Sequence, residues 1–325
     1  MPFQTYDELS AEAMRLHQAG QSAEAYELLT SEGEKFTDPG EDNMILYLRS
    51  CTTARAGNPE QAVAVIQQAF DKGYWYSEMI MRESPSYATL QGRPEFEQLV
   101  ELARTRQAEA SEEPQLLVVE PEGDRPSEQP YPTLVVLHGN GQTGRVALTA
   151  WRPATEQGWL VASIQSSQPS SYNMYVWDNQ ETAIRDVESQ FAQLREQYNL
   201  DTNRLILAGF SYGGETALRA TLTGTVPSTG FVLLGPGGDG FFRPEEWRSM
   251  IEQAKGKGLR GYVLLGEQDS DELRESATTM VRLLNEGGIP CELEMLADLG
   301  HAYPQDFGPI IQRALAFVEQ DTTEG

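Results

Sequence analysis

The chain has 325 residues, with 24 lysines plus arginines against 49 aspartates plus glutamates and a net charge of −25. That balance repels nucleic acid and anionic membrane surfaces at long range, so neither is expected as a partner. An apolar share of 39 % is enough for a real core in one large domain or two, and neither an apolar run of about 18 residues nor a basic-then-apolar leader occurs, so a cytoplasmic protein is expected. Positive charge is carried mostly by arginine, the lysines being Lys35, Lys72, Lys255 and Lys257. Cys51 and Cys291 fall in different regions and read as buried free thiols; no metal-ligand spacing is present.

The first hundred residues follow a helical period. Leu9, Ala13 and Leu16 share one face of a helix that Gly20-Gln21 closes, and Ala25, Leu28 and Leu29 share a face of the next. Residues 44–56 repeat the first pattern and residues 59–70 the second, with Ala19-Gly20-Gln21 aligned on Ala56-Gly57-Asn58 at a period of 37 residues. Ala25 and Ala62 sit where helices approach closely, and Ser22 or Pro59 opens the second helix of each pair as a cap or first-turn proline. This region resembles tetratricopeptide repeats. Two such pairs leave open ends, and Tyr74, Trp75, Tyr76 and a helix from Pro94 are expected to cover one of them as core packing. His17 reads as structural or solvent-facing. The repeats are expected either to cap the remainder of the chain and narrow its site, or to bind a peptide or a second copy.

Residues 108–114 (AEASEEP) are acidic and poor in large apolar groups, a linker that divides the chain into a helical domain, 1–110, and a second domain, 111–325. Residues 116–119 and 131–137 read as strands around the polar reversal 121–126, which suits an antiparallel edge hairpin. The second strand runs into His138-Gly139-Asn140-Gly141, where glycines let a backbone amide turn toward a site with no Cβ in the way. His138 reads as a brace for this loop. Another strand, 159–164, continues into a polar stretch, 165–173, and then Met174 to Asp178.

Residues 205–208 (LILA) read as a strand buried on both faces that stops at Gly209-Phe210-Ser211-Tyr212-Gly213 before a helical pattern. In such a G-x-S-x-G bend the two glycines clear space and the serine hydroxyl projects from the turn, with the first amides of the helix aimed at whatever it attacks. A serine needs a base, and the base an acid to hold its tautomer. Residues 261–265 (GYVLL) form a strand followed by Asp269, with Asp271 as the alternative acid, and residues 291–296 (CELEML) form one followed by Gly300-His301. Residues 231–235 form a strand that ends in a glycine-rich loop with Phe241 and Phe242, which are expected to close an acyl site. Helices are expected over 277–285 and 307–318, and the tail 319–325 is expected to fray.

The order Ser211, Asp269, His301, each just past a strand, resembles the α/β-hydrolase superfamily, and within it serine esterases related to dienelactone hydrolase and the carboxylesterase/acyl-thioesterase group. The resemblance covers roughly 116–319. It implies a mostly parallel sheet of about eight strands with helices on both faces, preceded here by the helical repeats, and hydrolysis of a small-molecule ester through an acyl-enzyme with no cofactor. Ser211 matches the nucleophile, Asp269 the acid of Gly-x-x-Asp and His301 the base of Gly-His; Asn140 and Tyr212 match the two oxyanion amides. In the related esterases the segment after the strand at 159–164 lies over the site, which makes Tyr172, Tyr175 and Trp177 expected pocket walls. The other reading of these aromatics is packing on the helix 182–198. Thioesterase, lactonase and peptidase chemistry would use the same groups, and the reading from another class is a peptide-binding protein with a hydrolase scaffold.

Overall fold

A computed structural model describes residues 3–110, 113–123 and 129–320; parts of the expected linker, reversal and tail lie outside these. The chain divides into two compact units, Met1–Ser111 with Pro169–Met174, and Glu112–Gln168 with Tyr175–Gly325.

In the first unit, α1 (Tyr6–Gln18), α2 (Ser22–Glu32), α3 (Pro39–Arg55) and α4 (Pro59–Asp71) pack each on the next, followed by α5 (Glu78–Glu83) and α6 (Pro94–Glu109). Thr5 and Asp38 cap α1 and α3 by accepting from Glu8 N and from the amides of Gly40 and Glu41. Ser22 is the first residue of α2 and not its cap: its hydroxyl meets His17 Nδ1 at 3.0 Å, and α2 starts without a side-chain cap. Ala25 and Ala62 are fully buried, as close helix approach requires. Tyr74, Trp75 and Tyr76 are buried in the core with Phe70, Tyr87 and Phe96. Helix α6 takes in Ala108 and Glu109, so the helical segment ends later than the composition of the expected linker indicates.

The second unit is built on a seven-stranded sheet in the order β1 (Gln115–Val119), β3 (Leu160–Gln165), β2 (Tyr131–Leu137), β6 (Leu200–Phe210), β7 (Gly230–Leu234), β8 (Arg260–Gly266) and β9 (Cys291–Leu296). All neighbours are parallel except β1 and β3. The expected β1–β2 hairpin does not form. Both edges of β2 are taken by parallel partners, so β1 lies one strand further out, against β3. The sheet accordingly has seven strands where about eight were expected; β4 (Pro169–Ser171) and β5 (Met174–Tyr175) form a separate pair.

The central strands are buried on both faces with a period of two. Val135, Leu137, Leu205 and Leu207 face one core layer, shared with α8 (Gln180–Gln197), α9 (Tyr212–Thr223) and α11 (Asp271–Glu286). Leu134, Val136, Ile206 and Ala208 face the other, shared with α7 (Gly144–Trp151) and α12 (Gly308–Val318). Each such leucine contributes roughly 1.5–3 kcal/mol by burial, which fixes the register and therefore where each strand ends. Helix α10 (Arg248–Ala254) completes the first layer. Among the described residues no helix is long and apolar enough to cross a membrane, and both cysteines are buried and free.

Candidate active site

Ser211 stands between the end of β6 and the start of α9, with φ 53° and ψ −126°, a region that costs a side-chain-bearing residue about 1–3 kcal/mol. Two observations show why the strain persists. A Cβ on Gly209 would lie 2.3 Å from Gly213 O, and a Cβ on Gly213 would lie 2.3 Å from His138 O, so both glycines are required by close backbone approach. The bend is then tied on either side: Ser211 N donates to Leu234 O, and Ser211 O accepts from Gly237 N.

The loops after β8 and β9 bring two groups to this bend. Ser211 Oγ lies 3.0 Å from His301 Nε2, and His301 Nδ1 lies 3.1 Å from Asp269 Oδ1. Asp269 is buried, and its second oxygen accepts from Gly266 N at 2.9 Å. The two loops are interlocked by Glu267 N to Leu296 O and Gln268 N to Leu299 O. Gly235, at φ 48°, leaves room for the imidazole, since a Cβ there would meet Nδ1 at 3.1 Å; Phe210 packs on the ring from 4.7 Å. Asp271 lies elsewhere: it is the first residue of α11, exposed and paired with Arg274. With Asp269 accepting at Nδ1, the imidazole lone pair at Nε2 faces the serine hydroxyl.

The loop after β2 lies at the same end of the sheet. Among the described residues, neither Asn140 N nor Tyr212 N has an acceptor within the chain. The Asn140 side chain is held fast, its Oδ1 accepting from Trp177 N at 2.8 Å and its Nδ2 donating to Asp178 at 2.6 Å. His138 is fully buried; Nδ1 donates to Gly139 O and Nε2 accepts from Ser166 N. That pattern needs a neutral ring, and burial pushes its pKa down to about 4. The sign of its effect on stability follows. Unfolded, the group takes a proton near pH 6.5; folded, it does so near 4, so its contribution is full above about 6.5 and is lost as pH falls toward 4, on the order of 3 kcal/mol in all. Denaturant midpoints from pH 7 to pH 4 should show a steeper fall for the wild-type chain than for His138→Asn. Parallel slopes would contradict the neutral brace.

Residues 5–111 match the model of a family described as A/B hydrolase-like, N-terminal domain. No curated protein matches the sequence. The structure is similar to an uncharacterized protein from Bacillus cereus ATCC 10987 at 23 % identity, over 98 % of this chain and 100 % of that one, with a TM-score of 0.55. Esterase PE8 aligns at 20 % identity and a TM-score of 0.52 over 63 % of this chain and 98 % of its own. Porphyromonas gingivalis dipeptidyl peptidase 4 aligns at 17 % and 0.50 over 63 % of this chain, which spans 33 % of that one. The chain has the α/β-hydrolase fold. The helical unit is thus similar to amino-terminal domains that accompany this fold.

Within the hydrolase unit the expected pocket walls are largely core. Trp177 is fully buried and donates from Nε1 to His138 O, so it is a brace of the Asn140 loop. Phe241 is fully buried against Trp247, while Phe242 is 42 % exposed. Tyr175 is buried and pairs with Gln142. Tyr172 belongs to the first unit, its ring 4.7 Å from that of Tyr74. Trp177, Phe241 and Tyr175 share one physical reason: each finds a backbone or ring partner that takes it out of solvent.

Three supporting residues escape a reading of the sequence. Gln142 Oε1 accepts from Gly139 N at 3.0 Å and from the Tyr303 hydroxyl at 3.4 Å, which joins the Asn140 loop to the His301 loop. Phe210 carries both His301 and Tyr303 on its ring. Glu215, one turn into α9, is buried; it accepts from Gly240 N and pairs with Arg219. Burial raises its pKa against the pull of Arg219. A Cβ on Gly238 or Gly240 would come within 2.1 or 2.3 Å of its carboxylate, so those glycines exist for Glu215. Its signal was an acid on an otherwise small and apolar helix face.

Proposed function

We propose that the chain hydrolyses carboxylic esters through an acyl-enzyme on Ser211. The observation that carries this is the unbroken series of hydrogen bonds from Ser211 Oγ through His301 to buried Asp269, at the carboxyl ends of separate strands where sites of open α/β sheets lie. In the first step Ser211 Oγ bonds to the ester carbonyl carbon while its proton passes to His301 Nε2. Asp269 accepts from Nδ1 and stabilises the imidazolium. The carbonyl oxygen, now an anion, receives the amides of Asn140 and Tyr212, the latter at the positive end of α9. Collapse breaks the carbon–oxygen bond to the alcohol, which leaves with the proton from His301. Water, deprotonated by the same nitrogen, then attacks the acyl carbon and releases the acid and Ser211.

The likeness to esterase PE8 supports the ester reading, and the likeness to dipeptidyl peptidase 4 over the same 63 % of this chain makes an amide the alternative to test. Purified protein mixed with an aryl acetate should show a burst of about one phenol per chain and then steady turnover. The matching anilide should turn over at least about 100-fold more slowly. Turnover of the anilide alone would replace the esterase reading by a peptidase one, and turnover of neither would end it.

A further inference from the structure

The segment that joins β3 to α8 is shared between the two units. Pro169–Met174 belongs to the helical one, where it is built into an edge: Ser77 N donates to Ser170 O at 2.8 Å, Tyr172 N donates to Trp75 O at 3.0 Å, and Ser171 bridges Tyr76. Asn43 Nδ2 reaches Tyr172 O, Gln107 Nε2 reaches Pro169 O, and the Tyr172 ring lies on Tyr74. Asn173 takes φ 54° to turn the tip.

The next residues belong to the hydrolase unit and hold the Asn140 loop. Tyr175 N donates to Gln142 O, and Tyr175 O accepts from Gly141 N at 2.9 Å. Trp177 N and Asp178 hold the Asn140 side chain. Two residues, Asn173 and Met174, therefore lie between Tyr172, which the helical unit holds through Trp75 O, Asn43 and the Tyr74 ring, and Tyr175, which pairs with the loop. Inside that loop the ties are Gln142 N to Gly139 O and Gly139 N to Gln142 Oε1, and Gly141 is at φ 75°, so Asn140 and Gly141 between them are held by these outside partners. An amide that is to receive developing charge must be set before the reaction, and a displacement of about 1 Å can cost about 100-fold.

We propose that the helical unit takes part in the reaction by gripping the strap Pro169–Met174, with Tyr172 as a positioning residue that sets the Asn140 amide. The catalytic half of this rests on the oxyanion role proposed above; the mechanical half does not. It predicts that loosening the strap far from Ser211 lowers kcat and leaves KM nearly unchanged, because the amide matters most once charge develops.

The test uses the full chain with Tyr172→Ala, Tyr172→Phe, and Tyr74→Ala as a second route to the same contact. Hydrogen exchange at the Gly141 amide, whose acceptor is Tyr175 O, reads the coupling without reference to activity. It should quicken about tenfold in both alanine variants, with the amides of β7 unchanged, and return to the wild-type rate in Tyr172→Phe, which keeps the ring. Aryl-ester kcat should fall about 10- to 100-fold in the same variants with KM within about twofold. Unchanged exchange at Gly141 in both alanine variants would overturn the coupling, and quickened exchange with unchanged kcat would overturn its part in catalysis. If the wild-type chain turned over no ester, the proposed function would fall, and the exchange result alone would uphold or overturn the grip.

Discussion

Replacing Ser211 by alanine, or His301 by alanine, should lower aryl-ester turnover by roughly 10⁴- to 10⁶-fold, and the double variant should be no worse than either alone. Non-additivity is the informative part. In the proposed mechanism the hydroxyl and imidazole, 3.0 Å apart, act as one unit, so once either is gone the other has nothing to do. What should survive is stabilisation from the amides of Asn140 and Tyr212, the proposed oxyanion donors. Folding should be nearly untouched, within about 0.5 kcal/mol, since the hydroxyl fills no core space. Glycine at the same position should go further. It removes the hydroxyl and also relieves the backbone at φ 53°, so Ser211→Gly should be inactive and more stable than wild type by about 1 kcal/mol. Equal denaturation midpoints for the alanine and glycine variants would show that the bend stores no strain. Rate losses that multiply in the double variant would show two independent roles and contradict the paired mechanism.

Asp269→Asn should cost roughly 10⁴-fold in kcat while Asp271→Asn leaves activity within about twofold. The first carboxylate is buried and accepts from both His301 Nδ1 and Gly266 N. An amide in its place can donate its N–H to Nδ1, which moves the ring proton to Nε2 and turns the lone pair away from Ser211. The packing of the two loops would be preserved, so the loss would be one of tautomer and not of shape. Asp271 makes an exposed pair with Arg274 at the start of α11, and such pairs are worth little. Steady-state kinetics of the two variants decide the assignment; reversed severities would move the acid to Asp271.

The site was legible in the sequence where local sterics dictate the outcome. Gly209 and Gly213 announce a bend because a Cβ at either would meet backbone, and the apolar runs before Asp269 and His301 end where the strands end. Seven strands and their burial follow from the same runs. Non-local pairing was not legible. Nothing in residues 115–119 says that their partner is β3 and not β2, because antiparallel edge strands look alike whichever neighbour they take. The polar run 165–173 reads as a loop over the site because its true partners, Trp75 to Ser77, offer backbone groups that leave no trace in side-chain pattern. Phe241 and Phe242 are neighbours of equal hydrophobicity; one is buried and one exposed because the glycine loop that carries them is shaped by Glu215, and a loop has no period from which to read that.

The central claim, that Ser211 is the nucleophile, is tested most directly by covalent labelling. Native protein treated with a fluorophosphonate should gain one adduct per chain, as read from its intact mass, and peptide mapping should place that adduct on Ser211. Ser211→Ala should gain none under the same conditions. Adduct formation on another residue, or labelling that persists in Ser211→Ala, would contradict the account.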